Sequence, residues 1–497
     1  MIERQTMTGH IPEASFRLEH GFAVKPDLSV DKGPGNSLII GQNAPRDEIE
    51  AIYLGKQAET PYRNVWLDTR GAHVLYVMGK RRSGKSYTLG VLAEGLAAQR
   101  WIRQGSLSQG ILILDSMNVY LTMPFGVEGT HSDNSEIIKE LHRWKLEPEQ
   151  FSMTLFRPRG TTTPTAVNST EITLRPSDLG PDEWCGLFEV DPFADPLGHL
   201  ITELYAKAAI DGYTNSRTGT FVAPNPSFVL QDLLNALEYD RDLDRYHRDT
   251  RESLRRRLDM LRRIPIFSDA GLDVRQLLQP GHIAVLLLRE LDQQMRSVLV
   301  ALIVKRVMQL RGVSEQQERM IPIHLARAEK FATTDPDTSK REIRLADECK
   351  QRATEGLTRS WIIIDEAHNY IPAHGVVPSR KPLKKYVDEG RNLGLSIVVA
   401  TQQPSGLDPS IQRNADMLLI HALSHHDDIQ AAEGMINTAC PSEITVDSRQ
   451  KIKGGRAFES LARNLPLGYA LASTDRANRL FPIRLRPRVT VHGGTDY

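Results

Sequence analysis

The stretch VLYVMGKRRSGKSYTLGVL, Val74 to Leu92, decides how the rest of the chain is read. Its opening run, Val74 to Met78, is wholly apolar and suits a buried strand. It leads directly into Gly79-Lys80-Arg81-Arg82-Ser83-Gly84-Lys85-Ser86, and a helical pattern follows from Tyr87 to about Ala98. Glycine, then Gly-Lys-Ser at this spacing, between a strand and a helix, is a phosphate-binding loop. Successive backbone N–H groups and the helix N-terminus present partial positive charge to phosphates, Lys85 reaches the β and γ groups, and the Ser86 hydroxyl takes Mg²⁺. The candidate nucleotide contacts are Gly79, Arg82, Ser83, Gly84, Lys85, Ser86 and Tyr87. Arg81 and Arg82 stand where small residues are easier to place; wherever φ must be positive, each costs about 1 kcal/mol. A loop strained in this way can bind well and still turn over slowly.

The chain has 497 residues, enough for about two to four structural units. Lys and Arg number 62 and Asp and Glu number 62, so no whole-molecule attraction to nucleic acid follows from charge, although a local basic stripe or ring lumen is compatible with it. Cys185, Cys349 and Cys440 are far apart, which indicates neither a disulfide framework nor a zinc site and suits a reducing cytoplasm. No apolar run approaches the roughly 20 residues of a membrane span, and MIERQTMTGH does not read as a signal peptide.

The pattern is α/β, and it divides as follows. Residues 1–65 read as a small β-rich N-terminal module, with strand-like Leu38-Ile39-Ile40 and Asn64 to Asp68 around turn formers. Residues 66–123 carry the phosphate loop and a second buried strand, Ile111 to Asp115. Ligands of open α/β sheets gather at the carboxyl ends of strands, which makes Asp115 a candidate site residue; a turn or cap role is the alternative. Residues 124–275 read as a mostly helical insertion, and 276–425 as the second part of the nucleotide domain. Within the latter, 314–358 is charge-rich without apolar periodicity and reads as an exposed, partly mobile insertion. Residues 426–497 close the fold.

The second anchor is Trp361-Ile362-Ile363-Ile364-Asp365-Glu366-Ala367-His368. A central strand delivers two adjacent acids: Asp365 to hold the Mg²⁺ shell, Glu366 to polarise the attacking water. A further buried strand, Ser396 to Ala400, ends in Thr401-Gln402, so Gln402 is the candidate γ-phosphate sensor, or else satisfies backbone groups before Pro404. In the insertion, Leu254, Leu258 and Leu261 make a buried stripe and leave Arg251, Arg255, Arg256, Arg257, Arg262 and Arg263 for solvent, a subunit, or a phosphate backbone. His421, His425, His426, Asp427 and Asp428 match no familiar ligand spacing and read as a strand end and a helix start.

These motifs in this order resemble the HerA-like ATPases, in the HerA and FtsK branch of RecA-fold motor proteins. The resemblance rests on GKSYTLGVLAEGL, IIIDEAHNYIP, DEGRNLGLSIVVATQQPSGLDPSI and the terminal RPRVTVHGG, and covers most of residues 62–490. It implies a RecA-like P-loop core with a mostly parallel central sheet, ATP and Mg²⁺ as ligands, a homo-hexamer with sites between subunits, and double-stranded DNA translocation or remodelling. A nuclease or NAD-consuming effector, in phage defence or DNA end processing, is implied as partner. Arg391, in the EGR text, is then the first choice for an arginine acting across the subunit boundary, with Arg413 second; an ion pair of Arg391 with Asp388 or Glu389 is the alternative. The family often reads DPHGEY where this chain has Asp115-Ser116-Met117-Asn118-Val119-Tyr120, and its N-terminal barrel is shortened here. An ATP-binding ring scaffold that organises an effector without translocating DNA is the competing reading. An RNA helicase of the DEAH type would need a later arginine-rich motif that the chain lacks.

Overall fold

Strands apolar on both sides can only sit in the middle of a sheet covered on both faces, and the structure, a computed structural model, puts them there. It describes residues 37–41, 50–58, 63–98, 109–128, 132–163, 169–436, 443–447, 450–453, 456–474 and 479–493. In chain order the strands are Ser37–Ile40 (β1), Ala51–Gln57 (β2), Asn64–Asp68 (β3), Val74–Met78 (β4), Gly110–Asp115 (β5), Met153–Pro158 (β6), Ser169–Ile172 (β7), Tyr213–Thr214 (β8), Phe221–Val222 (β9), Ile283–Leu287 (β10), Ser360–Ile364 (β11), Leu395–Thr401 (β12), Met417–Ile420 (β13), Glu443–Asp447 (β14), Gln450–Lys453 (β15), Tyr469–Thr474 (β16) and Arg479–Leu485 (β17). The helices are Lys85–Ala97 (α1), Ser132–Arg143 (α2), Pro181–Leu187 (α3), Pro196–Ala206 (α4), Leu230–Tyr239 (α5), Arg248–Leu261 (α6), Gln293–Phe331 (α7), Pro336–Ala353 (α8), Arg380–Glu389 (α9), Pro409–Asn414 (α10), His426–Met435 (α11) and Arg456–Asn464 (α12).

Among the described residues one 13-stranded sheet runs in the order β1-β3-β2-β17-β16-β13-β4-β12-β11-β5-β10-β6-β7. From β13 to β7 every pairing is parallel. Alternate residues of β4, β5, β11 and β12 face opposite ways. Tyr76, Leu112, Ile362 and Val399 pack with Leu299, Ile303 and Leu383 of α7 and α9. Val77, Ile113, Ile363 and Val398 pack with Leu89, Leu92 and Leu96 of α1.

The described part of the N-terminal segment belongs to this same sheet: β2 pairs antiparallel with β17, and β3 with β2. The helical insertion begins later than residue 124, because β6 and β7 extend the central sheet beyond β10. Its core gathers Trp184, Leu200, Leu204, Phe228, Leu233, Leu254 and Leu258. The arginine face of α6 is largely neutralised by its neighbours, with Arg251 on Asp244 at 2.6 Å, Arg255 near Glu238 at 3.6 Å and Arg256 near Glu252 at 3.4 Å.

The segment 314–358 corrects the reading of an irregular insertion. Helix α7 continues through Pro322 to Phe331, and α8 folds back against it. The pair is held by polar groups: Glu342 accepts from His324 Nδ1 at 2.7 Å and pairs with Arg327 at 2.9 Å, while the Ser339 hydroxyl donates to the Ala328 carbonyl. A polar helix seam leaves no apolar stripe in the sequence.

The C-terminal strand ends in a buried charge cluster against α1. Glu94, Arg486 and Arg488 are all at most 1 % exposed. Glu94 accepts from Arg486 Nη1 at 2.8 Å, Arg488 Nε at 3.2 Å and the Thr490 hydroxyl at 2.6 Å. Burial alone would push its carboxyl up, but the two guanidinium groups outweigh that and hold it below the ordinary range. Removing one partner of a buried pair leaves the other uncompensated, at about 3–5 kcal/mol. Glu94→Ala is therefore expected to lose about that much stability in urea unfolding; an unchanged midpoint would contradict the role given to the cluster.

Candidate active site

The phosphate loop leaves β4 at its carboxyl end and is pinned from both sides. Gly79 N–H donates to the Thr401 carbonyl at the end of β12, and Lys80 N–H to the Ala422 carbonyl just past β13. Gly79 has no substitute: a Cβ there would lie 2.4 Å from Ser83 Oγ and 2.7 Å from His421 Cβ. Gly84 takes φ +101°. Of the two arginines that raised the question of strain, Arg82 is the one with positive φ, at +62°.

Lys85 is 5 % exposed, and its ammonium donates back to the Lys80 carbonyl at 3.1 Å. Burial lowers its pKa, against the pull of Glu366 and Asp365. The Ser86 hydroxyl donates to Asp365 Oδ2 at 2.6 Å, so the two expected Mg²⁺ ligands are already neighbours. Burial pushes the Asp365 carboxyl up to about 6. Glu366 sits at φ +52°, one turn of backbone beyond the strand, and its Oε1 accepts from the Gln402 amide. Its Oε2 and Ser83 Oγ are buried without hydrogen-bond partners. His368 Nδ1 lies 3.1 Å from Thr401 Oγ1 and 3.5 Å from Glu366 Oε2.

The sheet order explains the convergence. Strand β12 lies between β4 and β11, so Gln402 emerges between the phosphate loop and the acid pair. A lysine, a serine, two carboxylates and an amide gathered at adjacent strand ends can hold a polyphosphate with a hard cation and activate a water beside it. Among the described residues no three His, Cys, Asp or Glu side chains cluster as a metal site. A cation held here by Ser86 and Asp365 would complete its shell with water and phosphate oxygens, as Mg²⁺ does.

Two expected contacts are placed differently. Asp115 accepts from the backbone N–H groups of Met117, Val119 and Tyr120 at 2.8–3.1 Å. Its carboxylate shapes the turn after β5, the alternative role that the sequence offered for it. The Tyr87 hydroxyl accepts from Arg488 N–H at 2.6 Å, and its ring stacks edge-on against His492. Only its backbone remains for the loop.

Arg391 and Arg413 precede β12 and β13, at the amino ends of strands whose carboxyl ends flank the loop. Arg391 donates to the Asn414 carbonyl and faces Asp416 at 3.8 Å, so the pairing with Asp388 or Glu389 on its own helix is not the one made. Arg413 is exposed.

Sequence reasoning missed His421 as a site residue. Fully buried behind the loop, it donates from Nδ1 to the Tyr469 carbonyl at 2.9 Å, which leaves Nε2 to accept from the Thr88 hydroxyl, also at 2.9 Å. Burial pushes its pKa down to about 4, so it stays neutral beside Lys85. Its place at the end of the strand next to β4 was the available signal, and only the strand order reveals it.

Residues 75–307 match the family described as Helicase HerA, central domain. Among solved structures, VirB4 of Thermoanaerobacter pseudethanolicus is 14 % identical, covering 87 % of this chain and 96 % of its own, with a TM-score of 0.46. The plasmid coupling protein TrwB in complex with ADP and Mg²⁺ is 14 % identical over 91 % of this chain and 97 % of its own, TM-score 0.44. The genome packaging NTPase B204 from Sulfolobus turreted icosahedral virus 2, in complex with ATP-gammaS, is 10 % identical over 84 % and 98 %, TM-score 0.29. No curated protein matches the chain.

Proposed function

We propose, from the match of residues 75–307 to the family described as Helicase HerA, central domain, that the chain is an ATP-hydrolysing motor of that type. It works as a homo-hexameric ring on double-stranded DNA, in the cytoplasm, with a nuclease or other effector as partner, in phage defence or DNA end processing. The observation that carries this reading is the meeting of Lys85, Ser86, Asp365, Glu366 and Gln402 at the carboxyl ends of β4, β11 and β12. In it Lys85 and the loop N–H groups bind the β and γ phosphates, Ser86 and Asp365 would hold Mg²⁺, and Glu366 takes the proton of the attacking water. Bound Mg²⁺ would neutralise charge on the phosphate oxygens.

The placement of Arg391 is what supports the ring. Strand β12 is seven residues, roughly 20 Å long, so Arg391, before its amino end, cannot reach the phosphates of its own chain at the other end. Arg391 is suited to act on the site of a neighbouring protomer, where such a cation is worth about 10³-fold or more in rate. Arg391→Ala is expected to assemble as the wild type does and lose about that factor in kcat. Unchanged turnover would move the role to Arg413.

Two measurements separate the motor from the scaffold. ATP turnover of the purified ring should rise several-fold with duplex DNA, and the ring should displace a bound block along it. No stimulation and no displacement would favour a scaffold that assembles its effector without translocating.

A further inference from the structure

We infer that Asp416 is a positioning residue that presents Arg391 to the neighbouring site and fastens it to the strands carrying this chain's own site. The inference rests on the across-subunit reading of Arg391. Asp416 lies between α10 and β13, and each of its oxygens is engaged. Oδ1 accepts from Val74 N–H, the first residue of β4, at 2.8 Å, and faces Arg391 Nη2 at 3.8 Å. Oδ2 accepts from His73 Nδ1–H at 2.6 Å. The Arg391 guanidinium is also bound by the Asn414 carbonyl, and the Asn414 amide donates to Asp388 at 2.8 Å.

His73 is wholly buried and touches every strand that matters to the site. Its N–H donates to Ser396 Oγ on β12, its carbonyl accepts from Ile397 N–H, and its ring lies 6.2 Å from that of Trp361 on β11. The node therefore joins the amino ends of β4, β11 and β12, whose opposite ends bear the phosphate loop, the acid pair and Gln402. With the guanidinium half-exposed on one side of the carboxylate and the strands on the other, a pull on Arg391 by a neighbour's phosphate is delivered to the base of β4. Short, fully hydrogen-bonded strands transmit such a displacement as rigid elements.

Asp416→Asn keeps an acceptor for Val74 and removes the charge facing Arg391. It is expected to lower kcat at least about tenfold with KM for ATP changed less than about twofold, and the loss should be absent in the Arg391→Ala background, since residues acting through one group are not additive. A purely structural Asp416 would instead give additive losses in the double variant. His73→Asn serves as the second variant, with the same pattern and a smaller loss, should Asp416→Asn fail to fold.

Mixed assemblies separate the two ideas. Co-expressed Lys85→Ala and Arg391→Ala chains should recover activity that neither has alone, and Lys85→Ala with Asp416→Asn (or His73→Asn) should do the same. No recovery in the first mixture overturns the across-subunit reading and this inference with it. Recovery in the first and none in the second overturns the Asp416 inference alone.

Discussion

Lys85→Ala is expected to weaken ATP binding by about 10² to 10³-fold, a loss of roughly 3–4 kcal/mol. The ammonium is buried in the loop, and among the described residues it hydrogen-bonds the Lys80 carbonyl alone, so its charge is available to phosphate oxygens at little cost in broken contacts. It also feels the charges of Asp365 and Glu366. Without it the Asp365 carboxyl, already pushed up to about 6 by burial, is driven further up, and its hold on a divalent cation falls with it. Binding of a fluorescent ATP analogue, with thermal unfolding as the control for folding, measures the effect. Wild-type affinity in a folded Lys85→Ala chain would remove the phosphate loop from the account.

The second large effect separates binding from chemistry. Glu366→Gln should bind ATP as the wild type does and hydrolyse it about 10² to 10⁴-fold more slowly, the usual worth of a positioned general base. The amide fills the same space and can still bond Gln402, so the positive-φ backbone at this position is kept. What is lost is the ability to take a proton. Single-turnover hydrolysis reads this directly, and a rate near wild type would assign the base elsewhere.

The site was legible in the sequence because its strands are buried on both faces. Val74–Met78 and Ser360–Ile364 are apolar almost without interruption, and each leads into the residues proposed for the chemistry. Gln402 could be named for the same reason. The α7 and α8 hairpin was not legible, because its seam is made of Ser339, Glu342 and His324, which resemble surface residues when read one at a time. The two readings of Asp115 stay open in the sequence because a carboxylate at a strand end serves a turn or a ligand equally well until the N–H groups of Met117, Val119 and Tyr120 are located. The pairing of β2 with β17, and of Asp416 with His73, joins residues more than 300 positions apart. Such contacts follow from strand order, which no local pattern encodes.

The most direct test is the structure of the Glu366→Gln chain with ATP and Mg²⁺. The account predicts one triphosphate whose γ group lies between Lys85 and Gln402, with the cation on Ser86 near Asp365 and Arg391 of an adjacent copy completing the site. A nucleotide bound away from Lys85, or a site closed by residues of a single chain with both arginines remote, would contradict it.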